Sequence, residues 1–481
     1  MNIEPVRRQS IIHLTTNIVI TAIGFLSTVY FAHVLGPSIL GAYFLFLAYF
    51  LMFNLVVDGG FGNATAKRIS EGKEQEEFFS ASAALRLGLL AISLLLLFAF
   101  RPFLIDLNSA DLFWWLVLAL VVNLPFGIIG GGNYGLGKAG VVQGSILLNN
   151  LSRIIIQVIA VFLGFQIAGL AGGFVCGIVI GCLFNYRYLE LGFRRFTLVH
   201  LKSLFTFSFW IFLAMSGLLV FTTADVVLIG YYLSNADVGI YRVALQLASL
   251  GVFVALALQN VLYPRFSRWN EEGKQELMEA SLSRAYTYSL VLALPFCVGG
   301  WLLGDKLLYY LYGAEFSSGT IALFVLLPLY VVYIFLYLQM MTLNALNHPK
   351  DSFWTTAVAV VVNVVLNILL IPMIGINGAA VATLISILIN AVLGFMVLRN
   401  YIAVKLERNP VFHIIAASAV MALVVGGIRL VIPGINLGYL VGLVIIGAVV
   451  YFVILLRIDR GIRDELKDIF TQTGIYWPDF L

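Results

Sequence analysis

The chain is a succession of apolar stretches, each long enough to cross a bilayer, joined by short polar connections. A spanning helix needs roughly 20 mostly apolar residues. Fourteen stretches meet that requirement, at about 11–34, 39–63, 80–102, 112–133, 141–164, 167–187, 204–232, 238–262, 285–305, 319–345, 352–373, 376–399, 411–432 and 435–456. Composition agrees: of 481 residues, 61% are hydrophobic and 11% charged, whereas a soluble domain carries about 25% charged residues. Too little polar surface remains to dissolve such a chain, and the expected fold is an all-α polytopic membrane protein.

Lys and Arg set the orientation, because cytoplasmic loops retain them. With the N-terminus inside, twenty-two of the 28 basic residues fall in inner connections. Only Arg101, Lys306 and Arg429 fall outside, and Arg86, Arg153 and Arg242 lie within spans. Both termini are then expected to be cytoplasmic, in the cell membrane. Arg7 and Arg8 precede a long apolar run with no small-residue cleavage site, which predicts a retained first helix rather than a removed signal peptide.

The net charge of +4 is no argument for a nucleic-acid partner. Cys176, Cys182 and Cys297 all lie in apolar runs, without a CxxC pattern, and the five histidines are scattered. No disulfide framework, metal site or cofactor is expected.

The chain is written twice. Leu35-Gly-Pro-Ser-Ile-Leu-Gly41-Ala-Tyr43 matches Leu233-Ser-Asn-Ala-Asp-Val-Gly239-Ile-Tyr241 in its Leu, Gly and Tyr. Glu71-Gly-Lys matches Glu272-Gly-Lys, and Ile167-Ala-Gly matches Ile376-Asn-Gly. Six spans separate the copies, so both have the same membrane orientation, the signature of a parallel repeat. The expected organisation is one six-helix lobe over 1–200, a second over 201–405, an extra hairpin over 406–456 and a cytoplasmic tail over 457–481. The segment 263–284 reads as a short amphipathic cytoplasmic helix.

Several punctuating motifs resemble a known family: Leu35-Gly-x4-Gly41-x-Tyr43, Asp58-Gly-Gly-Phe61-Gly, Asp225-Val-Val-Leu-Ile-Gly230, Tyr312-Gly-Ala-Glu-Phe316 and Asn363-x3-Asn367-x3-Ile371-Pro372. With them the whole chain is similar to the polysaccharide (Wzx-type) flippases of the multidrug/oligosaccharidyl-lipid/polysaccharide exporter superfamily. That resemblance implies movement of a lipid-linked oligosaccharide, on an isoprenoid diphosphate carrier, from the inner to the outer leaflet by lobe-on-lobe rocking. The resemblance implies a transporter, with glycosyltransferases and a glycan polymerase as pathway partners, and a monomer is expected. A membrane glycan polymerase or glycosyltransferase is the alternative of another class. It is disfavoured because the longest outer connection, about 306–318, holds only Lys306 and Glu315 as charged residues and no catalytic cluster. Related drug exporters often carry an acid in the first helix, and Ile11–Val34 has none, which weighs against cation-coupled export.

Charges inside spans are costly and mark candidate sites. Asp58 and Arg86 lie at matching depths and can pair, either as a fixed ion pair or as a latch that opens during transport. Asp225 and Arg242 can pair across neighbouring helices, or Arg242 can face a cavity and hold a diphosphate. Arg153 has no acid at its depth in the same lobe, only Asn149, Asn150 and Ser152 around it. Its planar fork suits phosphate oxygens, and the alternative is snorkelling or contact with backbone carbonyls. Substrate contacts are therefore expected at Arg153, Arg242, Asn149 and Asn17, the last from a polar group with Thr15, Thr16 and Thr21 that can equally serve helix packing.

Overall fold

The computed structural model describes residues 3–104, 107–108, 110–432 and 436–472. The side chains of residues 3–19, 210, 214, 218, 466 and 468–472 lie outside the description. Among the described residues the structure is helical throughout, with no strand. Thirteen helices among the described residues are long and apolar enough to cross a membrane.

The first of these, Ile20–Asp58, belongs to α1 (Ile3–Asp58), which takes in the first apolar run and residues 39–58 of the second. It is broken at Gly36, whose φ of 73° and ψ of 176° leave the helical region, just before Pro37. Glycine reaches positive φ without a Cβ clash, and proline supplies no amide hydrogen to the turn before it. The second run also stops earlier than its composition suggests. Gly59 and Gly60, at φ 55° and 77°, end α1 and start the short α2 (Phe61–Ser70).

The chain divides into two compact units, Met1–Arg242 and Val243–Leu481. In the first, α3 (Gln75–Phe100), α4 (Phe113–Gly135), α5 (Ala139–Phe162) and α6 (Gln166–Tyr186) follow. A tight turn through Gly164 and Gln166, both at positive φ, folds α6 back on α5. Helix α7 (Leu198–Tyr232) is also in this unit, where it packs on α1, α2 and α3. The unit ends within α8 (Asn235–Ala248).

The second unit holds α9 (Phe253–Glu271), α10 (Gln275–Tyr312), α11 (Thr320–Ala345), α12 (Pro349–Ile374) and α13 (Ile376–Leu398). Helices α14 (Arg408–Val431) and α15 (Leu437–Ile458) form a hairpin against α10. Tyr451 of α15 donates to the Val291 carbonyl at 2.6 Å. A final helix, α16 (Arg460–Gln472), lies within the segment read as a tail, whose residues 473–481 lie outside the described residues.

The segment 263–284 is not a separate helix. Helix α9 runs on to Glu271, a turn through Gly273 at φ 67° follows, and α10 begins at Gln275. The charges that suggested a free amphipathic helix stabilise this turn instead: Glu272 lies 2.7 Å from both Arg268 and Lys274. Those cations hold the Glu272 carboxyl below its usual pKa.

Candidate functional site

Arg153 sits on α5, and the reason it can do so lies on α6. Gly169, Gly173, Gly177 and Gly181 recur every fourth residue, which places them on one helix face. A Cβ at Gly177 would come within 2.8 Å of the Arg153 Cβ, and one at Gly181 within 3.0 Å of the Asn149 Cβ. The stripe removes side chains where the polar face of α5 must lie, a small-residue contact of the kind that lets membrane helices approach closely. A Gly177→Ala change should therefore cost about 1–3 kcal/mol through overpacking. This would be read as a lower melting temperature of the purified protein.

The neighbours of Arg153 are committed elsewhere. Asn150 donates to the Ile146 carbonyl at 2.9 Å and Ser152 to the Leu148 carbonyl at 2.6 Å, both within α5. Gln157, one turn on and 2% exposed, donates to Tyr43 Oη and to the Leu170 carbonyl, each at 2.7 Å. Asn149 turns its Oδ1 toward Gly177. Arg153 forms no ion pair among the described residues, and its Nε is buried with no hydrogen-bond partner. A buried donor without a partner costs about 1–3 kcal/mol, so this guanidinium is suited to an anion that the protein does not itself provide.

The second unit treats the corresponding place differently. Arg153 and Gln157 stand 14 and 18 residues beyond the start of α5, and Asn363 and Asn367 stand at the same distances beyond the start of α12. Those asparagines are buried and bond among themselves: Asn367 Nδ2 donates to Asn363 Oδ1 at 3.0 Å, and Asn363 Nδ2 to Thr383 Oγ1 at 3.3 Å. The cation is thus a property of one unit only.

Asp58 and Arg86 meet. Arg86 Nη2 lies 2.9 Å from Asp58 Oδ1, with the arginine 3% and the aspartate 28% exposed. Glycines make the room: a Cβ at Gly127 of α4 would collide with the Arg86 guanidinium, and one at Gly62 would come within 3.1 Å of Asp58 Oδ1.

Asp225 and Arg242 do not pair. Asp225, 4% exposed, accepts from Tyr241 Oη at 2.7 Å and from the Val226 amide at 2.9 Å. Arg242 is set over the Phe44 ring at 5.5 Å, a cation–π contact. The physical reason is helical phase: consecutive residues point about 100° apart, so the helix face that offers Tyr241 to α7 turns Arg242 toward α1.

This also explains the repeated motif. Its two tyrosines, Tyr43 and Tyr241, are both buried and each bonds a polar side chain of another helix, Gln157 and Asp225 respectively. Its two glycines touch: a Cβ at Gly41 would fall on the Asn235 carbonyl, and one at Gly239 on the Pro37 carbonyl. The sequence marked these positions by repetition without saying what they hold. Tyr241→Phe should leave Asp225 short of a donor and cost about 1–3 kcal/mol, measured by thermal unfolding; an unchanged melting temperature would remove this role.

Two polar contacts had no sequence signal. Asn54 of α1 accepts from Asn123 of α4 at 2.8 Å. Ser93 of α3 donates to the Phe53 carbonyl at 3.1 Å. Single polar residues in apolar runs do not reveal their partners until the helix faces are known. The Asn17 side chain lies outside the described residues.

Comparison with known proteins bears on what such a site serves. The sequence profile of the family described as "Polysaccharide biosynthesis protein" matches residues 6–270, and that of MatE matches residues 211–370. The probable low-salt glycan biosynthesis flippase Agl15 of Haloferax volcanii is 26% identical over 438 residues, 89% of this chain and 91% of that one. The probable flippase AglR of the same organism is 25% identical over 474 residues, 97% of this chain and 98% of that one. Among solved structures, the lipid II flippase MurJ in an inward closed conformation superposes with a TM-score of 0.78 at 18% identity, covering 92% of this chain and 98% of that chain. A multidrug resistance MATE transporter of the MOP superfamily, facing inward, gives 0.60 at 17% identity over 79% of this chain and 94% of its own. With more than half its length matched by the family profile, and with a fold shared with MurJ and the MATE transporter, the chain belongs to the polysaccharide biosynthesis protein family.

Proposed function

We propose that this protein is a flippase that moves a lipid-linked oligosaccharide or polysaccharide repeat unit, carried on an isoprenoid diphosphate, from the inner to the outer leaflet by alternating access. The observation that carries this reading is the near full-length likeness to two relatives named as flippases, one of them of glycan biosynthesis. The protein acts as a multi-pass transporter in the cell membrane, with fourteen crossings and both termini cytoplasmic. The α1 break at Gly36 supports counting that helix twice. It works as a monomer beside the glycosyltransferases and polymerase of its pathway.

Arg153 is the group that holds the diphosphate. Its unpartnered Nε and the absence of any acid partner among the described residues support that role. Asn149 and Asn17 contribute contacts to the glycan. Arg242 can add a second positive charge, since it is not consumed by Asp225 and rests on a ring instead. Asp58 and Arg86 form the ion pair whose opening would accompany rocking. A negative-inside potential favours outward movement of an anionic head, at ~2.3 kcal/mol per charge per 100 mV.

The test is reconstitution in proteoliposomes with a fluorescent lipid-linked oligosaccharide. Protein-dependent transfer of the glycan to the leaflet reached by an added glycosidase is the expected outcome. The MatE match and the MATE-like fold favour one second reading, cation-coupled export of small molecules. Proton- or sodium-dependent movement of a cationic dye, with no movement of the glycan, would replace the first reading with this one.

A further inference from the structure

We propose that the groove between α2 and the opening turns of α7 is a binding site for an anionic phospholipid, distinct from the place where Arg153 would hold the diphosphate. A groove of about 690 Å³ opens there, with Arg68, Lys202, Ser203 and Thr206 at its polar part and Val199, Phe207 and Ile211 along its apolar part. Both helices lie in the first compact unit and pack on each other.

The level in the membrane fits a headgroup. Helix α7 has 35 residues, about 52 Å at 1.5 Å per residue, well beyond the ~30 Å of hydrocarbon. Its start is fixed outside the apolar run, where Thr197 and His200 form a reciprocal capping box. Lys202 stands one turn further on, so the basic rim lies where the helix leaves the headgroup region and the apolar wall begins. Beyond Lys202 the lining turns apolar at Phe207 and Ile211, on the side toward the membrane interior where acyl chains lie.

The charges are complementary to a lipid phosphate. Lys202 is exposed and forms no ion pair among the described residues. Arg68 holds Glu71 through Nη1 at 3.1 Å, which offsets part of its charge, yet its Nε is buried without a partner. Lys67 lies 4.4 Å above the Phe207 ring, so it both adds positive charge and fixes the aromatic wall. A free phosphate would make no use of Val199, Phe207 and Ile211. A phospholipid uses both parts, its phosphate at Arg68 and Lys202 and its first methylenes along the wall.

The test uses the purified full-length protein and native mass spectrometry, with dioleoyl phosphatidylglycerol as the anionic probe and dioleoyl phosphatidylcholine as the zwitterionic one. Phosphatidylglycerol should bind in preference. A juxtamembrane Lys or Arg contributes ~1 kcal/mol, so Arg68→Gln with Lys202→Gln should weaken phosphatidylglycerol roughly 30-fold and leave phosphatidylcholine unchanged. Ile211→Trp, which fills the groove without touching a charge, should weaken it as well. If that variant fails to fold, the charge variant decides alone, since both of its side chains reach solvent. Equal binding of the two lipids, or undiminished phosphatidylglycerol binding in the folded charge variant, would overturn the proposal. So would stoichiometric displacement of phosphatidylglycerol by a long-chain polyisoprenyl phosphate or by inorganic phosphate, which would assign the groove to the carrier or to a free anion.

Discussion

Arg153→Ala is expected to lower the rate of glycan transfer in proteoliposomes ~10–100-fold while leaving the protein as stable as before or slightly more so. The two halves of this result come from one observation. Arg153 makes no hydrogen bond or ion pair within the described structure, and its Nε is buried without a partner. Removing it therefore breaks nothing that holds the fold and relieves a desolvation cost of ~1–3 kcal/mol. A charge-assisted bond to phosphate is worth ~1.5–3 kcal/mol, which sets the size of the transport loss. Arg153→Lys should fall between, because it keeps the charge and loses the bidentate fork. A stable Ala variant with full transport would show that Arg153 does not touch the substrate. A large loss of melting temperature would show that it is a packing residue.

Asp58→Ala is expected to be the most destabilising single change at the paired charges, and Arg86→Leu a milder one. The pair is asymmetric: Arg86 is 3% exposed, whereas Asp58 is 28% exposed. Loss of Asp58 strands a guanidinium among helices, and breaking a buried pair this way costs ~3–5 kcal/mol. Loss of Arg86 strands a carboxylate that still reaches water. The Asp58→Ala/Arg86→Leu double variant should recover most of the stability, since an apolar replacement of both members is often neutral. Thermal unfolding of the three variants measures the coupling, and the opposite order of the single variants would contradict the burial argument. Transport by the double variant then separates the two roles. A stable double variant that still transfers glycan has lost only a brace, and one that folds but no longer transfers has lost a latch.

These expectations draw unequally on sequence and structure. The Asp58–Arg86 contact was legible because depth along two spans is a one-dimensional quantity, counted from the span ends. The Asp225–Arg242 pairing was inferred from the same kind of count and is not what forms, because depth says nothing of rotation. One residue of phase handed the bond to Tyr241. The isolation of Arg153 was legible as the lack of an acid at its depth. Its cause was not, since the glycine stripe of α6 and the commitments of Asn150, Ser152 and Gln157 are lateral contacts. The same limit applies to the groove at Arg68 and Lys202, residues 134 positions apart in the chain that share a site only because α2 packs on α7.

By itself, then, the sequence determined the solvent and the elements. Runs of about 20 apolar residues can only be satisfied as membrane helices, since each helix pairs its own backbone groups, and the repeated Leu-x5-Gly-x-Tyr motif showed that the chain is written twice. Tertiary structure decided which helix faces meet. It put Gly41 against α8 and Gly239 against α1, gave each motif tyrosine a different partner, and left Arg153 as a cation with a buried, unpartnered Nε. The physical reason is that hydrophobicity fixes how deep a residue lies in the membrane, while its azimuth around the helix is fixed only by packing and hydrogen bonding between helices.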